Sequence, residues 1–112
     1  MAEALAAKVA QTTKRLGITQ EELARITGTS LRSVARYLSG QAVPQPLTKQ
    51  RLLELAYVAD QLGEVLKPED ANLWIHSPNR LLDHATPAER INAGDFRTVL
   101  ALIEALADGI AV

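Results

Sequence analysis

Glycine and proline punctuate the stretch Leu16–Pro46, LGITQEELARITGTSLRSVARYLSGQAVPQP, and leave room for two short helices around a tight turn. Ile18-Thr19-Gln20-Glu21-Glu22-Leu23 carries a full helix-start signal. Thr19 is placed to cap, Glu22 to reach back and close a capping box, and Ile18 and Leu23 to form a hydrophobic staple. Leu23, Ala24 and Ile26 give this helix its apolar side, and Gly28 ends it, because glycine accepts the left-handed conformation. Thr29 or Ser30 starts the next helix. Leu31, Val34, Ala35 and Leu38 follow at i, i+3, i+4, i+7 and predict its buried stripe. Arg32, Ser33, Arg36 and Tyr37 are expected on the free face. Arg32 and Arg36 stand four apart, and two like charges at that spacing slightly destabilise an isolated helix. An anionic partner removes that cost. Gly40 ends the helix, and Pro44 and Pro46 stop it from resuming.

Helix, glycine turn, then a helix with small polar and arginine side chains on its free face is the grammar of a helix-turn-helix. Through Leu16–Ala24, Gly28-Thr29-Ser30 and Arg32–Gly40 the sequence resembles the Xre (phage-repressor-like) helix-turn-helix family. The resemblance implies phosphate contact at Gln20 and entry of the second helix into the major groove. The DNA-binding candidates are therefore Gln20, Thr29, Ser30, Arg32, Ser33 and Arg36.

The remaining chain is also helical in pattern. Residues 3–16 place Leu5, Val9, Thr12 and Leu16 on one side, expected to pack across the helix-turn-helix. From Leu47 to Leu66, Leu52, Leu55, Ala56, Ala59, Leu62 and Leu66 form one stripe, which Leu53, Tyr57 and Val58 broaden. A helix with so wide an apolar side faces two neighbours, linking two lobes or supplying part of a dimer contact. Gly63 within it suggests close packing. Lys67-Pro68-Glu69-Asp70 starts a short helix with Ala71, Trp74 and Ile75 inward, ending at His76-Ser77-Pro78-Asn79. Thr86-Pro87-Ala88-Glu89 is a second capping box, and Asp95 caps a last helix. That helix is expected to bury Phe96, Val99, Leu100, Ile103, Leu106, Ala107 and Ile110. No strand-like alternation, repeat or low-complexity segment interrupts this order.

The fold expected is all-α: an N-terminal Xre-like helix-turn-helix bundle, residues 1–46, joined by a long helix to a small C-terminal helical domain within residues 47–112. With 47% hydrophobic and 22% charged residues, a chain of 112 residues is globular rather than disordered. It has no cysteine, which excludes disulfides and thiolate metal sites and is compatible with the cytoplasmic location expected. No apolar run approaches the roughly 20 residues of a membrane helix, and no export signal is expected. The net charge of −1 says little by itself. Its distribution says more: residues 1–56 hold eight basic and four acidic side chains (+4), and residues 57–112 hold four and nine (−5). A basic front and an acidic back suggest two different partners.

The second half carries its own resemblance. Trp74, Ser77-Pro78-Asn79-Arg80-Leu81-Leu82, Thr86-Pro87 with Ile91, Gly94-Asp95, Val99–Ile103, and Gly109 with Val112 are similar to the toxin-binding domain of the Xre/MbcA/ParS antitoxin family. Arg32–Arg36 and Lys49–Asp60 bring the chain nearest to that family's mycobacterial members. The resemblance implies a RES-domain toxin as partner, an enzyme class that degrades NAD, with the antitoxin covering its active-site entrance. It also implies a homodimer or larger hetero-oligomer with toxin and, for several members, repression of the protein's own operon through operator DNA. No membrane partner and no cofactor are implied. The competing reading is a dimeric helix-turn-helix repressor without a toxin partner. A third is a helical adaptor whose front lobe serves assembly alone.

The toxin-binding candidates are Ser77, Pro78, Asn79, Arg80, Leu81, Gly109, Ile110, Ala111 and Val112. Pro78 and Asn79 suit a helix-ending turn, and Arg80 and Leu81 lie beside it. Trp74 reads as a core anchor. His76 and His84, eight apart and without cysteine, fit no zinc spacing and read as surface histidines. Asp60, Glu64, Glu69 and Asp70 read as solvated helix faces. No phosphate loop and no nucleophile constellation is present, so no catalytic or metal-binding residue is assigned and the chain is not expected to be an enzyme.

Overall fold

A computed structural model describes residues 2–109 as seven α-helices and one short 3-10 turn, with no strand among the described residues. The helices are α1 (Ala2–Leu16), α2 (Gln20–Thr27), α3 (Leu31–Leu38), α4 (Pro46–Gly63), α5 (Pro68–Ile75), α6 (Pro87–Asn92) and α7 (Phe96–Ala107); the 3-10 turn is Arg80–Leu82. None is long and apolar enough to cross a membrane.

The local signals act where the sequence places them. The Thr19 hydroxyl accepts from the Glu22 amide at 3.1 Å, and Ile18 and Leu23 are both buried as the staple requires. The reciprocal half of the capping box does not form. The Glu22 carboxylate turns instead to His76, whose Nε2 lies 3.0 Å from Oε1. Thr86 likewise caps α6 through the Glu89 amide at 3.0 Å. Gly28 takes φ +68°, the left-handed region, and lets Thr29 N–H reach back to Ala24 O at 3.0 Å.

α4 is the axis of the molecule. Leu52, Leu55, Ala56, Val58, Ala59 and Leu62 are buried on it, with α1 and α2 on one side and α7 on another. α1 also packs on α3 and α5, and α2 on α3 and α6. One continuous apolar cluster results, running from Val9, Leu23 and Val34 through Leu62 to Ile75, Ile91 and Val99. Burying a leucine or isoleucine of this kind contributes about 1.5–3 kcal/mol. Trp74 packs half-buried against the cluster, as an anchor, with its indole Nε1 enclosed and without a hydrogen-bond partner among the described residues.

Three of the packing expectations are corrected. On α3 only Val34 of the expected stripe is buried. Leu31 is 44% exposed and Ala35 is exposed, while Tyr37, expected on the free face, packs half-buried against the core with Leu38. The inward line is therefore Val34, buried, with Tyr37 and Leu38 half-buried: a two-turn helix touches α1 and α2 along a narrow strip, and Leu31 at its first position is left exposed. On α7, Leu102 is buried while Leu100 and Leu106 are half-buried and Ala107 is exposed. Ile110 lies outside the described residues. Gly63 is not closely packed, since a Cβ there would lie 3.8 Å from Arg15 Nη1, ordinary van der Waals distance.

Long-range polar contacts tie the front to the back. Asp60 on α4 accepts from Lys8 Nζ at 3.0 Å and Arg15 Nη1 at 2.7 Å on α1, so it is no idle solvated carboxylate. Asn72 on α5 donates both Nδ2 hydrogens to the end of α1, to Leu16 O at 2.9 Å and Gly17 O at 2.8 Å.

Candidate functional site

Two surfaces carry the candidate residues, one at each end of the chain order. The first is built on α2 and α3. Ser30 caps α3: its hydroxyl accepts from the Ser33 amide at 3.0 Å and donates to Ser33 Oγ at 3.0 Å. Those contacts fix where α3 begins and spend the Ser30 hydroxyl on the cap. Thr29 is half-buried in the turn, and Gln20 is exposed at the first position of α2. Arg32 and Arg36 are exposed on the open side of α3, and neither has an ion-pair partner among the described residues. Two unpaired guanidinium groups on one short helix suit bidentate contact with phosphate or guanine. The helix that presents them is anchored only at Val34, Tyr37 and Leu38.

The second surface is the turn after α5. Asn79 organises it. The residue is only 7% exposed, its Oδ1 accepts from Leu81 N–H at 2.9 Å, and its carbonyl accepts from Leu82 and His84 N–H, both at 2.9 Å. Its own N–H donates to Ala85 O at 2.9 Å. Asn79 is thus a positioning residue, its Oδ1 and both backbone polar groups engaged inside the loop. What it presents is Arg80, exposed, and Leu81, 60% exposed, with Pro78 exposed beside them and Ser77 half-buried. Asp83 and His84 follow at φ 56° and 69°, two consecutive non-glycine residues in the left-handed region. Such residues are held there only where their surroundings over-determine them. Sequence reasoning missed this pair; the preference of aspartate for that conformation is the one signal that pointed to it. It also missed Leu73, a large exposed apolar side chain on α5. Gly109 is exposed at φ +84°, away from the turn in sequence, and Ile110, Ala111 and Val112 lie outside the described residues.

At the start of α7, Asp95 Oδ1 accepts from the Thr98 amide at 3.2 Å, and Arg90 Nη1 lies 3.4 Å from its other oxygen. Hydrogen bonding to Thr98, side chain first and then backbone, together with the Arg90 charge, holds its carboxyl below the ordinary 3.8. This is a helix cap and no catalytic acid. Among the described residues no group of three or more His, Cys, Asp or Glu side chains converges as a metal site would require.

Comparison with known proteins gives the chain a family. Residues 11–63 match the helix-turn-helix family, and residues 60–109 match the antitoxin Xre/MbcA/ParS C-terminal toxin-binding domain. The mycobacterial cidal antitoxin MbcA of Mycobacterium tuberculosis is 55% identical over 108 residues, covering 96% of both chains. The chain belongs to the Xre/MbcA/ParS antitoxin family. MbcA of Mycobacterium bovis matches to the same degree, and a probable mycobacterial cidal antitoxin of M. tuberculosis is 28% identical over 93% of this chain and 89% of its own. The fold superposes with a TM-score of 0.83 on a chain in the crystal structure of the M. tuberculosis MbcT-MbcA toxin-antitoxin complex, at 55% identity, covering 96% of this chain and 97% of that one. Within the family frame, the Arg32–Arg36 face falls inside the helix-turn-helix match and the Asn79 turn inside the toxin-binding match.

Proposed function

We propose that this chain is the antitoxin of a type II toxin–antitoxin pair. Residues 47–112 bind a RES-domain toxin that degrades NAD and cover the entrance to its active site. The Asn79 turn supplies the contact through Arg80 and Leu81, and Gly109–Val112 supply the rest. Residues 1–46 hold operator DNA through Arg32, Ser33 and Arg36, with Gln20 on phosphate, and repress the operon. The protein works as a homodimer or in a larger hetero-oligomer with its toxin, and it performs no catalysis.

The observation that carries this reading is the match to MbcA over nearly the whole of both chains, joined to the superposition on a chain from a toxin-antitoxin complex. The exposed Arg80 and Leu81, on a turn held by the Oδ1 and backbone bonds of Asn79, supply a contact surface. The test is co-expression with the gene product encoded beside it, followed by an NAD-consumption assay with and without this protein. Co-purification and arrest of NAD loss are the expected result. No complex and unchanged NAD loss would refute the toxin reading.

A repressor without a toxin partner is the second reading, favoured by the unpaired guanidinium groups on α3. It predicts operator binding that weakens steeply with salt. Operator binding together with failure of the NAD test would favour it.

A further inference from the structure

α4 and α7 leave an open groove between them that neither candidate surface uses. Its larger part, about 1130 Å³, is bounded by residues 43–57 and by α7 from Phe96 to Glu104. A smaller part, about 280 Å³, continues past Tyr57 to Val65 and Ala107. The two helices therefore run the same way along it. Its floor and walls include Val43, Leu53, Tyr57, Leu100 and Ala101. Leu53 is 48% exposed and Tyr57 54% exposed, although they broaden the apolar side of the central helix. A contiguous apolar surface of this kind marks an interaction site.

The charges on its rim choose the partner. Lys49 and Arg97 stand at the end where both helices begin, and Glu104, with Glu64 beyond it, stands at the end where both finish. None of the four has an ion-pair partner among the described residues. The order also runs against the helix dipole, which favours acidic side chains at the start and basic ones at the end. α4 and α7 have neither an acidic first turn nor a basic last turn. Asp95 caps the start of α7 and suits the dipole there, but the dipole gives no account of Lys49, Arg97, Glu104 and Glu64. Glu54 also lines the wall between Lys49 and Tyr57, half-buried, and accepts from Gln50 Nε2 of its own helix at 3.0 Å. With Lys49 and Arg97 at one end, Glu104 and Glu64 at the other and a mainly apolar stretch between, the groove is complementary to itself reversed.

We propose that this groove is occupied by the same groove of a second copy of the chain, packed antiparallel about a twofold axis. Two twofolds in the plane of the contact bring the faces together. An axis along the groove would stack basic end on basic end. An axis across it, passing by Leu100 and Ala101, sets Arg97 of one copy against Glu104 of the other and turns Lys49 toward the acidic end. Arg97 and Glu104 lie about 10 Å apart along α7, centred on that axis. The contact is isologous, so each pairing occurs twice, and α4 and α7 from both copies form a four-helix layer that covers Leu53 and Tyr57. The inference rests on the homodimer in the functional reading above and needs neither toxin nor DNA.

The test is sedimentation velocity of the full chain across a concentration series, for wild type, Arg97→Glu, Glu104→Arg and the double variant. Circular dichroism checks that each remains helical. Each single reversal creates two like-charge contacts and raises the dimer dissociation constant at least about tenfold. The double variant restores the pairing and returns it to near the wild-type value. A wild type that stays monomeric throughout overturns both the proposal and the homodimer. A dimer that ignores all three variants overturns the proposal alone and leaves the homodimer standing through another surface. Reversals that weaken toxin capture without changing self-association also overturn it, and assign the groove to the toxin.

Discussion

Replacing Asn72 by alanine removes a side chain that closes the end of α1 from across the molecule. Its two Nδ2 hydrogens go to Leu16 O at 2.9 Å and Gly17 O at 2.8 Å. Both carbonyls stand at the end of the helix, where the last turn has no intrahelical donor. A typical hydrogen bond contributes about 0.5–1.5 kcal/mol net. Two such bonds give about 1–3 kcal/mol, and the exposure of Gly17 lets water recover part of it, so the expected loss is about 1.5 kcal/mol. For a chain of this length that is a fall in Tm of roughly 6 °C. Asn72→Asp sharpens the test. It keeps the shape but sets a carboxylate oxygen where a donor stood, facing two carbonyl oxygens, so it destabilises more than alanine does. Urea unfolding followed by circular dichroism measures both, and an unchanged m-value certifies that the difference is one of stability. If Asn72→Ala unfolds with wild type, or Asn72→Asp is as stable as Asn72→Ala, the two bonds do not hold α5 to α1 and the reasoning fails.

Gly63→Ala at the end of α4 has 3.8 Å of clearance and a backbone free of left-handed strain, so it stabilises by about 0.5 kcal/mol in the same urea assay. Gly17→Ala goes the other way: φ +63° strains any side chain and its Cβ would meet Asn72 Nδ2 at 2.6 Å, so it costs at least about 1 kcal/mol. Asp95 has a folded pKa below the ordinary 3.8, so its contribution to stability is present above that value and is lost as pH falls through the lower folded value. Asp95→Asn, which keeps a capping oxygen, is therefore expected to show a shallower acid limb below about pH 4 in a thermal melt series. Asn79→Ala frees the turn while leaving Arg80 and Leu81 in place. Toxin capture in a pull-down is expected to weaken at least tenfold, for a loss of about 1.4 kcal/mol, with the helical circular dichroism signal unchanged.

Short-range signals were legible in the sequence because their physics is short-range. Thr19, Ser30, Thr86 and Asp95 cap the helices they precede, each through an amide three residues on. On α4, Leu52, Leu55, Ala56, Val58, Ala59 and Leu62 are buried as read, because five turns average out an error of one position; Leu66 lies beyond the helix, half-buried, and Leu53 and Tyr57, expected to broaden the stripe, are exposed. On α3, with only two turns, the same reasoning chose Leu31 and Ala35, which are exposed, where the fold packs Tyr37 half-buried against the core. The contacts between the halves were not legible. Asp60, Asn72 and His76 find partners 45 to 56 residues away, and no periodicity encodes such a pairing. The turn at Asn79 was half legible: proline and asparagine announced it, but that Asn79 would be buried at its centre depends on four hydrogen bonds that close only in the folded loop.

Those long-range contacts bear on how the two ends of the molecule communicate. α5 reaches the helix-turn-helix at two places: Asn72 closes α1, and His76 Nε2 meets Glu22 on α2 at 3.0 Å while its Nδ1 lies 2.8 Å from Asn72 O. Asn79, which fixes the Arg80–Leu81 surface, follows His76 by three residues. A force on that surface is therefore delivered through one short helix to the helix whose neighbour carries Arg32 and Arg36. The shared apolar cluster removes the alternative of two beads on a string, because Leu62 and Ile75 belong to the same core as Leu23 and Val34. Coupling between a partner on the back half and DNA on the front half needs a differential contact free energy between two states. In this fold the contacts able to supply it are the Glu22–His76 and Asn72–α1 bonds together with the Asp60 pairs to Lys8 and Arg15, since all are polar, partly exposed and span the two halves, whereas the buried cluster between them resists displacement.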